Sequence, residues 1–237
     1  MQKLIKYLII LLLFLGISDS YGQRRKKPQN LIHYDFQKLH FGFTLGMNEL
    51  NFNIQKNSNT ITNDTLLTLL SNSQKGFNLG IVSNLRLGKY TDLRFIPTLV
   101  FGERHLHYEF IDSNQVSDEK IKRIESTLID FPVYIKYKSA RYNNFRTYVL
   151  AGVKYSLDIA SQEKINDEGQ EIVKLKKNDL MGEIGFGIDY YLEYFKFSPQ
   201  IKLSYGILNL LSEDETIYTK SINRLNTNGW MISFTFE

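Results

Sequence analysis

No cysteine occurs anywhere in the 237 residues. Disulfides, thiolate metal sites and an N-terminal lipid-bearing cysteine are thereby excluded, so an exported chain of this size is held together by other means. No proline-, serine- or glycine-rich linker divides the sequence, which therefore reads as a single domain. Beyond the first 22 residues it also lacks the run of roughly 18 or more apolar residues that a spanning helix requires. Charge of one sign is concentrated in one place. The formal net charge is +4, and Arg24-Arg25-Lys26-Lys27 supplies as much by itself, leaving the rest close to neutral. A sequence pI near 9.0 is therefore a poor sign of nucleic-acid binding, because the excess sits in one tail and not on a folded face interleaved with aromatics. That tail reads as a solvated linker, or as a contact for anionic lipid or a periplasmic partner.

The N-terminus points to export. Lys3 and Lys6 precede the apolar run from Leu8 to Ile17, and Ser20-Tyr21-Gly22 places small residues at the cleavage positions. This is the pattern of a secretory signal peptide cut before Gln23. Its apolar core is about half the roughly 20 residues a spanning helix needs. The expected organisation is a signal peptide over 1–22, a basic periplasmic segment over 23–38 and one domain over 39–237.

That domain alternates at period two, the weak per-strand signature of a membrane β-barrel. Eight strands are expected, at His40–Gln55, Lys75–Gly88, Asp92–Phe110, Ile124–Tyr137, Phe145–Ile159, Asp179–Leu192, Phe195–Leu208 and Gly229–Phe236. In the third, the phase slips after Glu103, which predicts a bulge. A soluble sandwich alternates in the same way, so the connections discriminate. Joins near 88–91, 139–144 and 192–195 are tight, whereas those at about 56–74, 111–123, 160–178 and 209–228 are long and polar. Short turns on one side and long loops on the other describe an eight-stranded antiparallel up-and-down barrel in an outer membrane, with both termini in the periplasm. Aromatics crowd the short-turn end (Tyr90, Tyr137, Tyr142, Phe145, Tyr190, Tyr191, Tyr194 and Phe195), as an interfacial girdle does. The last strand ends on Phe236, similar to the terminal signal for barrel insertion, although Glu237 follows it.

The inward positions collect an unusual set of charges: Arg86, Arg94, Asp130, Lys136, Arg146, Lys154, Glu183, Asp189 and Lys202. Eight strands leave an interior just wide enough for side chains, so these are expected to pair with one another and fill the lumen, which disfavours a diffusion pore. Other motifs are weaker. His105-x-His107 puts two imidazoles on one face of a strand, but two ligands do not make a metal site. With Glu103 or Asp112 they form the one grouping suited to acyl-transfer or proteolytic chemistry. Gly-Glu-Ile-Gly-Phe-Gly at 182–187 lies inside a strand and opens no helix, so the glycines are read as easing the curvature of the wall, not as a nucleotide loop. No cofactor is expected.

Three blocks carry a family resemblance: His40-Phe41-Gly42-Phe43-Thr44-Leu45-Gly46-Met47-Asn48 with Asn51-Phe52, Asp130-Phe131-Pro132-Val133-Tyr134-Ile135-Lys136-Tyr137-Lys138, and Asn143-Asn144-Phe145-Arg146-Thr147-Tyr148-Val149-Leu150-Ala151-Gly152-Val153-Lys154-Tyr155. Together with the basic start at Arg24–Lys27 they resemble the PorT family of Bacteroidetes outer-membrane proteins, over nearly the whole chain after residue 22. The resemblance implies a role in type IX protein secretion, with other secretion-system proteins and outer-membrane lipid as partners, and in gliding organisms a role in motility. It supplies no catalytic residues. The competing expectations are an outer-membrane anchor or adhesin, and a barrel enzyme of acyltransferase or protease type using the loop-end histidines.

Overall fold

A computed structural model describes residues 28–56, 66–111, 117–161, 174–212, 219 and 221–237. Among these, nine strands form: β1 (Leu39–Lys56), β2 (Leu66–Arg86), β3 (Thr91–Phe95), β4 (Thr98–Ile111), β5 (Ser117–Lys138), β6 (Phe145–Asp158), β7 (Asn178–Tyr191), β8 (Lys196–Gly206) and β9 (Ile222–Phe236). Every pairing is antiparallel. The last strand pairs with the first, from Phe43 opposite Phe236 up to Lys56 opposite Ile222, and β1 also pairs with β2. The sheet therefore closes into a barrel with no free edge, the one arrangement of strands that satisfies every backbone group inside lipid.

Nine strands make eight staves. β3 and β4 lie end to end between the same two neighbours, each pairing with both β2 and β5. The break falls at Ile96-Pro97, because proline has no N–H to give to a ladder. Its carbonyl still accepts from the Ile81 amide at 3.0 Å.

The phase slip expected after Glu103 is absent. Asp92, Arg94, Ile96, Thr98, Val100, Arg104, Leu106 and Tyr108 are all buried, so side chains alternate without interruption along the whole stave. The irregularity lies instead on the facing strand, between Ser73 and Phe77. What changes near residue 103 is polarity, and this divides the barrel into two zones.

The lower zone, next to the short turns, is apolar outside and largely polar inside, with one buried apolar cluster of Val82, Ile96, Tyr134, Tyr148 and Leu150 among the charges. Outward positions such as Phe41, Phe43, Leu45 and Met47 on β1 and Phe77, Leu79 and Ile81 on β2 are exposed. Aromatic pairs cross the strands on this outer face, Phe43 against Phe236 at 4.9 Å and Phe77 against Phe101 at 4.5 Å between ring centroids. The belt runs from Leu39 to Met47 on the first stave and from Phe77 to Leu87 on the second, matching the roughly 9–11 residues a tilted strand needs to cross the hydrocarbon. The upper zone is a crown with the opposite pattern. Phe52, Leu69, Leu106, Tyr108, Leu175, Leu210, Ile222 and Leu225 form a buried apolar core, while Glu103, His105, His107 and Glu119 face outward. Above the membrane the barrel is built like a soluble protein, since water now surrounds it and the hydrophobic effect again favours apolar groups inside.

The crown also explains why the strands outrun expectation. β2 starts at Leu66, β5 at Ser117 and β9 at Ile222, so much of what reads as polar loop is strand.

Candidate functional site: a filled lumen and its N-terminal plug

The inward faces of the lower zone meet in the barrel's interior, where charged side chains are carried by strands stiff enough to fix them. Glu183 on β7 is the centre of one network. Its carboxylate takes a 2.9 Å ion pair from Lys154 on β6 and hydrogen bonds from the hydroxyls of Tyr134 and Ser204. Lys154 also lies 3.1 Å from Asp130, which accepts from Ser156 at 2.6 Å. The Lys202 ammonium donates to the Tyr134 hydroxyl at 3.2 Å. Taking such charges out of water costs several kcal/mol each unless they are paired and fully hydrogen-bonded, and here the partners come from four different strands.

A second network surrounds Asp189. Lys136 lies 2.9 Å from both carboxylate oxygens, Ser198 donates at 2.6 Å, and the Arg146 guanidinium approaches to 3.3 Å. The Lys136 ammonium also sits over the Tyr148 ring, 3.6 Å from its centroid. That ring is one reason for Gly187, where a Cβ would run into the Tyr148 side chain. At the short-turn mouth, Lys138 pairs with Asp92 at 2.6 Å, and Glu237 pairs with Arg94 and, at 2.9 Å, with Lys196.

Of the nine inward charges read from the sequence, Arg94, Asp130, Lys136, Arg146, Lys154, Glu183, Asp189 and Lys202 are buried in the lumen. Arg86 is not in these networks. It lies at the mouth and donates to the backbone carbonyls of Gly88 and Asp35. Asp92, Lys138, Lys196 and Glu237 join these charges in the interior without belonging to the set expected from the sequence, although continuing the alternation of β9 by one step puts residue 237 on the inward face.

The mouth is closed by the segment preceding β1. Residues 28–38 cross the short-turn end, with a single 3-10 turn at Tyr34–Phe36. The Tyr34 hydroxyl donates to Glu237 at 2.9 Å, and its ring stacks on His40 with centroids 3.9 Å apart. Burial pushes the Tyr34 hydroxyl well above its ordinary pKa. The Asp35 carboxylate accepts from Arg146 at 2.7 Å and from the Tyr191 hydroxyl at 3.2 Å, with Arg141 at 3.5 Å. Its partial burial works to raise its pKa, but the Arg146 and Arg141 guanidiniums outweigh this and hold the carboxyl below its usual range. Asn30 completes the latch, its amide donating to the Asn144 side chain at 2.9 Å and its own side chain donating to the Tyr191 carbonyl at 3.0 Å. Arg24, Arg25, Lys26 and Lys27 lie outside the described residues, as does the expected signal peptide.

At the other end, His105 pairs with Glu103 at 2.6 Å and His107 with Glu119 at 3.1 Å, and Asn72 hydrogen-bonds the far nitrogen of His107 at 3.1 Å. These groups stand on the outer wall of the crown, in two separate pairs, and Asp112 lies outside the described residues. No cluster of three or more potential metal ligands occurs among the described residues.

A family model described as an outer membrane protein beta-barrel domain matches residues 22–212. No curated protein matches the chain. Among solved structures, the neisserial surface protein A, NspA, is similar at 11% identity over 84% of this chain and 98% of that one, with a TM-score of 0.42. The outer membrane protein OprG from Pseudomonas aeruginosa gives 14% identity, 82% and 93% coverage and a TM-score of 0.41. Ail, the attachment invasion locus protein of Yersinia pestis, solved with the heparin analogue sucrose octasulfate, gives 11%, 84%, 99% and 0.40.

Proposed function

The chain belongs to the outer membrane protein beta-barrel domain family, and from that premise we propose that it is a component of type IX protein secretion, acting by contact with other parts of the translocon and not as a conduit. In gliding organisms the same role extends to motility. The secretion assignment rests on the resemblance of residues 40–52, 130–138 and 143–155 to the PorT family. One observation carries the non-conducting part: the lumen is occupied by paired charges, and residues 28–38 lie across its short-turn mouth through Asp35 and Tyr34. A polypeptide has no path through such an interior, so activity belongs to the surfaces. In this reading the short turns and both termini face the periplasm, the crown and its loops face outward, and the protein is not an enzyme.

The decisive experiment is export of type IX cargo from a strain lacking this protein. Cargo is expected to accumulate inside the cell and to be released again when the gene is restored. Normal export in the deletion strain sinks the secretion reading and leaves an outer-membrane anchor or adhesin. Restoring the gene without Arg24–Lys27 is expected to insert a normal barrel yet secrete less, and full secretion from it removes the tail from the mechanism.

A further inference from the structure

The outer wall of the crown carries a surface that neither the lumen nor the plug uses. β2, β4 and β5 run side by side here, and their inward residues Leu69, Leu106 and Tyr108 are packed in the crown core. Successive side chains on a strand take opposite faces, so the residues between these face outward. Pairing aligns them in rows. Leu70 lies opposite His107 and His107 opposite Ile121, while one row nearer the belt Asn72 lies opposite His105 and His105 opposite Arg123. Leu70 and Ile121 are 56% and 49% exposed. Neighbouring strands are about 4.8 Å apart, so the two aliphatic side chains stand about 10 Å from one another with the His107 ring between them.

Lipid does not cover this row. From Phe101, the last belt residue on β4, to His107 the strand rises about 20 Å, and Glu103, His105, Arg123 and Glu125 fill the rows between. Nor is the centre of the row loose. Asn72 donates to one ring nitrogen of His107 and the other faces Glu119, each at 3.1 Å, so the imidazole is fixed before any partner arrives, which lowers the cost of docking.

The charge around the row is mainly negative. Glu103, Glu109, Glu119 and Glu125 project on this face, against Arg123 and, at the lower border, Lys75 opposite Glu49. Lys120 and Lys122 take the other face of the sheet, opposite Tyr108 and Leu106. An apolar centre inside a polar rim is the anatomy of a protein contact, and an acidic rim favours a partner of positive charge.

We propose that the outer face of the crown sheet, centred on Leu70, His107 and Ile121, is a docking surface for a basic segment of another protein. That segment sets an aliphatic side chain on the central row and Arg or Lys side chains against Glu109, Glu119 and Glu125. The inference goes beyond the secretion reading and requires only that the crown stands in water above the belt.

The probe is the peptide Gly-Arg-Ser-Leu-Ser-Arg-Gly, which when extended puts both Arg and the Leu on one side. One analogue carries Glu in place of each Arg, and another carries Ser in place of the Leu. The protein, with isotopically labelled Leu and Ile methyl groups, is folded in nanodiscs of zwitterionic phosphatidylcholine and titrated with each peptide to millimolar concentration. The methyl resonances of Leu70 and Ile121 are expected to shift with the basic peptide and not with the acidic one, while those of Ile135 and Ile184 in the belt stay in place. The Ser analogue is expected to bind about fivefold more weakly, having lost the apolar contact. Glu119→Gln with Glu125→Gln is expected to weaken binding about two- to fivefold for each charge removed, and about 1 M salt is expected to weaken it in the parent, since screening then acts within about 3 Å. Equal shifts with the acidic peptide, shifts confined to the belt, no shift at millimolar peptide, or a double Gln variant that binds like the parent each overturn the proposal. The unchanged belt resonances report correct folding in every variant. Cargo export is not read in this experiment, so its failure leaves the secretion reading where it stands.

Discussion

Asp35 stands 2.7 Å from Arg146, and Arg146 in turn stands 3.3 Å from Asp189 on the barrel wall. The N-terminal segment is thus tied into the lumen network through a guanidinium with a carboxylate on either side, beside the contact of Tyr34 with Glu237. Asp35→Asn removes one of these carboxylates while Arg146 keeps the other. A hydrogen bond to a charged group is worth about 1.5–3 kcal/mol, and the partial exposure of Asp35 puts the loss toward the lower end. Docking is expected to loosen by about tenfold, read as faster modification of a thiol at Gln29→Cys. An unchanged rate would mean that Tyr34 and Asn30 hold the plug without Asp35.

The same carboxyl sets the pH response of the plug. Because the docked state holds the Asp35 pKa below its usual range, the contact contributes fully at neutral pH and down to the ordinary carboxylate pKa. It is lost progressively as pH falls from there through the depressed value. A fluorophore on Gln29→Cys is expected to keep a high anisotropy from pH 7 down to about 4 and to lose it below that. Asp35→Asn is expected to show no acid step. A transition between pH 5 and 7 would point to a group other than Asp35.

The legible parts of this barrel are those in which the membrane writes a simple code. From Phe41 to Met47, or from Val149 to Tyr155, lipid on one side and a crowded interior of small, polar or charged residues on the other make alternation visible, and the interior charges follow from the same phase. Legibility fails where the solvent changes. Above Glu103 the outside becomes polar and the inside apolar, so an uninterrupted stave mimics a slipped phase, and the upper halves of β2, β5 and β9 mimic loops. The plug was hidden for another reason. Asp35 and Tyr34 sit in a short segment with no periodicity, and their partners Arg146 and Glu237 are more than a hundred residues away in sequence.

Lys154 serves two carboxylates, Asp130 at 3.1 Å and Glu183 at 2.9 Å. Lys154→Met removes the ion-pair partner of both in a buried site, which costs about 3–5 kcal/mol. The expected result is a lower urea midpoint for unfolding from vesicles. Adding Glu183→Gln is expected to recover a substantial part of the loss, because the double change removes a charge of each sign. If the single variant is as stable as the parent, water reaches this part of the lumen. In planar bilayers the parent is expected to show no discrete conductance steps.

His105 and His107 test the enzymatic alternative directly. Each is paired with a carboxylate on the outer wall of the crown, away from the lumen. His105→Ala and His107→Ala are expected to leave cargo export within about twofold of the parent, as surface changes usually do. Loss of export with the barrel folded would restore a catalytic role.

Leu106 separates the crown from the belt. It is fully buried among Phe52, Leu69, Tyr108 and Leu225, in the zone where water surrounds the barrel, whereas the belt is held by hydrogen bonds in lipid. Leu106→Ala opens a cavity in the crown core, costing about 2–5 kcal/mol locally. The belt does not share that packing, since its interior is held by ion pairs and by separate buried clusters such as that of Val82, Ile96, Tyr134, Tyr148 and Leu150, and its exterior contacts are with lipid. Hydrogen exchange is therefore expected to speed up at the amides of the upper halves of β2, β4, β5 and β9 and to stay slow from Phe41 to Met47 and from Val149 to Val153. Uniform acceleration along whole staves would show that crown and belt unfold as one cooperative unit, and that the apolar core above the membrane also stabilises the ion-paired lumen beneath it.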